Sequence, residues 1–228
     1  MKHCGKAASA AWKWIFWSIL VLLGIFAAGI IATYLAAFVT WFASGFIALW
    51  IAFVALMVYF FRDPEPSIPQ EPGVVLSPAH GTVDVVDETE EKEFMGGRCQ
   101  RISIFLSPLD VHVQRAPVSG RVGIVRHQPG EFKPATSPTC GLCNENVLIG
   151  FDSTEVPGEK ISIRLIAGIL ARRIIPWSAT GELVARGERI SLIQFGSRCD
   201  VYLPRTVKIS VKLGDKVIGG ETILARRA

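Results

Sequence analysis

From Trp14 to Phe61 the sequence contains no aspartate, glutamate, lysine or arginine. A cleaved signal peptide has an apolar region of only about 7 to 15 residues, so an uncharged stretch this long does not fit one. The remainder of the chain has no run of basic residues, and its formal net charge is only +4. That balance argues against a nucleic-acid partner, whose binding needs a concentrated basic face. Cysteine is scarce and odd in number, at five, which does not suit a disulfide framework and does suit a reducing compartment. No internal repeat or low-complexity tract occurs, which removes solenoids and linker-like chains from consideration. The G-x-S-x-G elbow of the α/β-hydrolases is also missing.

The uncharged stretch is more than twice the roughly 20 residues that one helical crossing of a bilayer requires. It predicts an N-terminal membrane anchor, residues 1 to 61, built as a hairpin of two transmembrane helices. These lie near Ile15 to Tyr34 and Trp41 to Phe61, with Thr40 or the pair Ser44-Gly45 at the turn. Trp12, Trp14, Trp17, Tyr59, Phe60 and Phe61 suit interfacial aromatic belts. Lys2, Lys6 and Lys13 precede the apolar run and Arg62 follows it, so the positive-inside rule puts both flanks, and whatever follows, on the cytoplasmic side of the cell membrane. "RDPEPSIPQEPG", residues 62 to 73, holds four prolines and reads as a stiff extended linker.

From Val74 to Ala228 the pattern changes. Short β-branched runs ("GTVDVVDE", "RISIFLS", "GRVGIVRH", "NVLIGFD", "KISIRLIAG", "ERISLIQF", "DVYLP") alternate with Gly, Pro, Asp and Asn. Strands of this length and spacing predict a mainly β (α+β) domain of short antiparallel strands, with one short helix expected in "GILARRIIPW". Apolar residues such as Phe94, Met95 and Phe132 are candidates for dipping into a membrane interface.

Two constellations carry chemistry. In "SLIQFGSRCDVYLP" a Gly-Ser pair, Gly196 and Ser197, interrupts a strand-like run, although glycine inside a strand marks a bulge, a bend or a close backbone approach. In "SPLDVHVQRAP", strand alternation would set Asp110, His112 and Gln114 on one face, so that Asp110 orients His112 as a general acid or base near neutrality. The strings "FFRDPEP", "SPAHG", "FLSPLDVHVQRAPVSG" and "FGSRCDVYLP", in that order, resemble the short, membrane-anchored form of the phosphatidylserine decarboxylases, pyruvoyl-dependent enzymes made as proenzymes. The likeness runs over nearly the whole chain.

The resemblance implies that Ser197 Oγ attacks the carbonyl of Gly196 and that the chain cleaves itself between 196 and 197. A larger β chain (1 to 196) and a smaller α chain (197 to 228) would then stay associated. Ser197 would become a covalent pyruvoyl group that forms a Schiff base with the amine of phosphatidylserine, releasing carbon dioxide and phosphatidylethanolamine. No external cofactor is implied. His112 matches the family's first catalytic histidine. Longer members have a second histidine where this chain has Arg115, and the family usually reads "SPADG" where this chain has His80. His80 would then activate Ser197 directly, or His112 would take over with Asp110 orienting it, or the chain would remain an unprocessed, non-catalytic lipid-binding homologue. A decarboxylase of a related serine ether lipid is a further alternative, and a homo-oligomer is compatible with all of these. No metal site is expected: Cys140 and Cys143 form a lone C-x-x-C without the four ligands of structural zinc, although His127 lies close in sequence. Arg172 and Arg173 are a basic pair that a lipid phosphate would suit.

Overall fold

The computed structural model describes residues 6–134, 140–169, 173–194 and 196–227. The chain divides into two compact units, one ending at Met57 and the other Val58–Ala228. The first is carried by α1 (Lys6–Phe60), a single helix of 55 residues. Its segment Trp12–Phe60 has a mean hydropathy of 2.6 and is long and apolar enough to cross a membrane.

The expected hairpin is not what forms. The helix passes without a break through both turn candidates, because neither is a strong breaker. The hydroxyls of Thr40 and Ser44 donate to the carbonyls of Ala36 and Thr40, each at 2.8 Å, which satisfies them inside the helix instead of turning the chain. No proline lies between Trp14 and Phe61. At 1.5 Å per residue the apolar segment is about 74 Å long, against a hydrocarbon core of about 30 Å.

The second unit is the β domain. Its strands are β1 (Val74–Leu76), β2 (Gly81–Glu91), β3 (Gly97–Leu106), β4 (Val113–Arg115), β5 (Gly120–Gln128), β6 (Asn146–Ser153) and β7 (Lys160–Ala167). After them come β8 (Ile174–Pro176), β9 (Leu183–Val184), β10 (Arg189–Ile193), β11 (Ser197–Leu203), β12 (Lys208–Ile209), β13 (Lys216–Val217) and β14 (Ile223–Arg226). One helical turn, α2 (Cys140–Cys143), precedes β6. Where a short helix was expected, Ile174–Pro176 is a strand; residues 170 to 172 of that stretch, Arg172 among them, lie outside the described residues.

Eight strands make the main sheet in the order β13-β2-β3-β11-β7-β6-β5-β9, with every pairing antiparallel. Two three-stranded sheets, β4-β10-β8 and β1-β14-β12, complete the domain. The core draws on alternate residues of the central strands: Ile102, Ile104 and Leu106 from β3, Ile161, Ile163 and Leu165 from β7, and Cys199, Val201 and Leu203 from β11. That is the period of two expected of strands with one face turned inward. Gly81 opens β2 because a Cβ there would lie 2.2 Å from the carbonyl oxygen of Phe105.

The proline-rich segment is packed against the domain rather than free. Ser67 N–H donates to Glu221 at 2.8 Å, and Arg186 donates to the carbonyls of Pro69 (3.1 Å) and Glu71 (3.0 Å). Phe94 also departs from expectation. Its ring lies over the sheet where a side chain on Gly123 or Gly150 would collide with it, so it covers the strands instead of forming a membrane tip.

Candidate active site

Ser197 is the first residue of β11, fully buried, and pairs with Leu106 of β3 on one side and Ala167 of β7 on the other. By strand parity its side chain shares the core face with Cys199 and Val201. Its Oγ has no hydrogen-bond partner among the described residues. Burying a hydroxyl unpaired costs about 1–3 kcal/mol, and Ser162 Oγ on the neighbouring β7 is a second such case among the described residues.

Gly196, immediately before it, sits at φ +71°. A Cβ there would meet only Pro108 Cγ, at 3.9 Å, so glycine is required by conformation and not by space. Both backbone groups of Gly196 are held. Its N–H donates to His112 Nε2 at 3.1 Å, and its carbonyl accepts from the N–H of Gly168 at 3.2 Å. The Gly168 contact was not visible in the sequence, since a backbone donor leaves no side-chain signature.

His112 is 1% exposed. Because Nε2 accepts from Gly196, the ring proton lies on Nδ1, which donates to the backbone carbonyl of Asp110 at 2.8 Å. Burial lowers the pKa of this imidazole, the carbonyl and charge of Asp110 oppose that, and Arg62 and His80 add to the lowering. The ring is therefore neutral at neutral pH. Gln114 supports it from behind, donating to the His112 carbonyl at 2.7 Å while accepting from Ser191 Oγ at 2.9 Å.

Asp110 orients His112 through its backbone and not through its carboxylate. β4 begins only at Val113, so strand parity does not apply to residues 110 and 112. The Asp110 carboxylate instead accepts from Ser107 N–H at 2.8 Å, and Asp110 N–H donates to the Ser107 carbonyl at 3.0 Å, which closes a tight turn. His80 is half-buried, and its Nδ1 accepts from Gly219 N–H at 3.3 Å. Its pKa is lowered first by burial, with Asp110 and Glu221 opposing and Arg115 and Arg62 reinforcing. No hydrogen bond joins either imidazole to Ser197 Oγ.

Arg115 is a structural cation. Buried, it donates to Asp63 Oδ1 (2.7 Å) and to the carbonyls of Pro64 (3.0 Å) and Gly187 (3.1 Å). Asp63 also accepts from Arg189, whose other arm reaches Glu65 at 2.5 Å. The last residue of α1 and those just after it are thus drawn onto the site: Phe60 lies on the His112 ring and Arg62 donates to the Leu109 carbonyl at 2.7 Å.

The family model described as phosphatidylserine decarboxylase matches residues 53–225. The chain belongs to the phosphatidylserine decarboxylase family. It is 41% identical over 213 residues to the phosphatidylserine decarboxylase proenzyme of Symbiobacterium thermophilum, covering 93% of both chains. The proenzyme from Desulfotalea psychrophila is 42% identical over 172 residues, 75% of this chain and 79% of that one. The proenzyme of Ruegeria pomeroyi is 38% identical over 206 residues, 89% and 90% respectively. Within this decarboxylase-family domain the remaining candidates lie away from Ser197 or outside its chemistry. His127 pairs with Glu145 at 3.1 Å. The opposite face of β11 carries Arg198, Asp200 and Tyr202 into a polar cavity of about 580 Å³, which Arg101 and Arg164 also line. Arg173 offers its backbone carbonyl to Gln194 N–H at 3.1 Å.

Proposed function

We propose that this chain is a self-processing phosphatidylserine decarboxylase whose Ser197 becomes a pyruvoyl group. The observation that carries the reading is the Gly196–Ser197 junction. A buried hydroxyl without a partner adjoins a carbonyl that already receives a backbone N–H, in a peptide bent by a positive-φ glycine. In the processing step Ser197 Oγ forms a bond to the Gly196 carbonyl carbon, and the peptide C–N bond breaks to leave an ester and a free amine. Charge developing on the carbonyl oxygen is met by Gly168 N–H, a donor already in place. Elimination then breaks the ester at Cβ of Ser197, leaving the Gly196 carboxylate on the larger chain. One water enters and one ammonia leaves to give the pyruvoyl end.

The residues present fit such a group. Ser197 lies deep between two strands, where solvent is excluded. When formed, the group supplies a ketone that accepts the electron pair left as the substrate carboxylate departs. His112, neutral and with an unprotonated Nε2 facing the junction, holds or returns the proton at that position. His80 accepts from Gly219 N–H and makes no hydrogen bond to Ser197 Oγ. Arg115, fixed on Asp63, contributes to the frame and takes no part in proton transfer.

The substrate is the serine phospholipid in its bilayer, which the apolar helix keeps within reach. We place the catalytic unit on the cytoplasmic side of the cell membrane. Arg62 ends the apolar run next to it, and the odd number of cysteines, five, suits a reducing compartment. The test is release of carbon dioxide from carboxyl-labelled phosphatidylserine in lipid nanodiscs. The full chain is expected to release it, and Ser197→Ala to abolish release together with cleavage. Undiminished turnover by Ser197→Ala would rule out a group derived from that residue.

A further inference from the structure

Among the aromatics that end the membrane helix, one behaves differently from its neighbours. Tyr59 and Phe61 are 47% and 43% exposed, whereas Phe60 is 3% exposed. Its ring is 4.4 Å from that of His112, centroid to centroid, at 32°. The grip extends along the chain. Arg62 holds the carbonyl of Leu109, next to the Asp110 that receives the His112 Nδ1 proton, and Asp63 and Pro64 hold Arg115. Residues 60 to 64 therefore form one wall of the loop that carries His112.

We propose that Phe60 is a positioning residue for His112, holding the imidazole dry and in the ring plane that lets Nε2 accept from Gly196 N–H, so that the end of the membrane helix is a working part of the catalytic unit. This rests on the role given to His112 above. Stacking of the two rings fixes the ring plane, which the two hydrogen bonds on opposite nitrogens also require. The groups bearing charge on this imidazole are the Asp110 carboxylate, Arg62 and His80. None is on Phe60, so Phe60 acts by excluding water. A ring face also attracts an imidazolium, but that gain is smaller than the cost of desolvating a buried cation, and the neutral form wins.

The chain has four histidines, so imidazole NMR of the full-length protein in nanodiscs is tractable. A Ser197→Ala background keeps the chain intact, and His112→Asn identifies the His112 resonance. Phe60→Ala is expected to raise the proton affinity of His112 by about threefold or more as water reaches the ring. Phe60→Leu, which keeps apolar bulk, is expected to give a smaller rise and also guards against misfolding. In the processed enzyme Phe60→Ala should lower kcat by about tenfold while KM for vesicle lipid changes less than about twofold. Unchanged titration of His112 in both variants, or an effect confined to KM, would overturn the proposal. A wild-type chain that does not decarboxylate would sink the function proposed above while leaving this titration readable.

Discussion

His112 is tied to backbone at both ring nitrogens, an arrangement that fixes its tautomer without any carboxylate contact. Its lowered pKa has a definite sign in the pH dependence of the protein. The unfolded chain takes up a proton at the ordinary histidine value of about 6.5, before the buried ring does, so the stability contributed by the neutral ring is complete above that value. It is lost as pH falls below about 6.5, and His80, lowered for the same leading reason, adds in the same direction. The urea midpoint is therefore expected to be lower at pH 5.5 than at pH 7.5. Self-cleavage should lose rate only below the ordinary histidine range, and His112→Asn should slow turnover by about 10²- to 10⁴-fold at neutral pH. A flat urea midpoint across that range, or a cleavage rate that halves well above it, would contradict this account. At the junction, the bend that glycine signals inside a strand-like run is present, with Gly196 at φ +71°. The role of Asp110 was misread, since alternation was applied to a turn. Gly168 and Phe60 were not legible as site residues, because one acts through its backbone and the other reaches His112 only through the tertiary fold.

Among the elements, the strands were the most legible. β2, β3, β5, β6 and β7 each coincide with a β-branched run bounded by turn residues, whereas β11 is buried along its whole length, Arg198 and Asp200 included, which its alternation of apolar and polar residues does not signal. Their order was not legible: nothing in the sequence says that β11 lies between β3 and β7, which is what buries Ser197. The proline-rich stretch was read as a stiff extended linker from its composition, yet its Asp63 pairs with a buried arginine, and Glu65 and Glu71 pair with exposed ones. Asp63 bridges Arg115, whose side chain is 3% exposed, and Arg189. Asp63→Ala leaves that guanidinium with only carbonyl partners, and is expected to destabilise the β domain by about 2 kcal/mol, measured as a lowered denaturation midpoint of the catalytic unit. An unchanged midpoint would show the strap to be dispensable.

At the scale of the whole molecule, charge and hydropathy separate an apolar helix from a β domain, and the structure places the division at Met57/Val58, inside the helix and ahead of Phe60. The boundary expected at residue 61 would have assigned Phe60 to the anchor, whereas its contacts belong to the catalytic unit. The hairpin was the weakest inference, because serine, threonine and glycine do not stop a helix whose hydroxyls are satisfied internally. Function at this scale reduces to one covalent change, which intact mass spectrometry of the full chain purified in lipid reads directly. The account predicts two polypeptides, residues 1–196 and 197–228, whose summed mass is that of the 24.9 kDa chain plus one water and minus one ammonia, and a single uncleaved species for Ser197→Ala. A wild-type sample that retains the mass of the uninterrupted chain after folding and lipid reconstitution would contradict it.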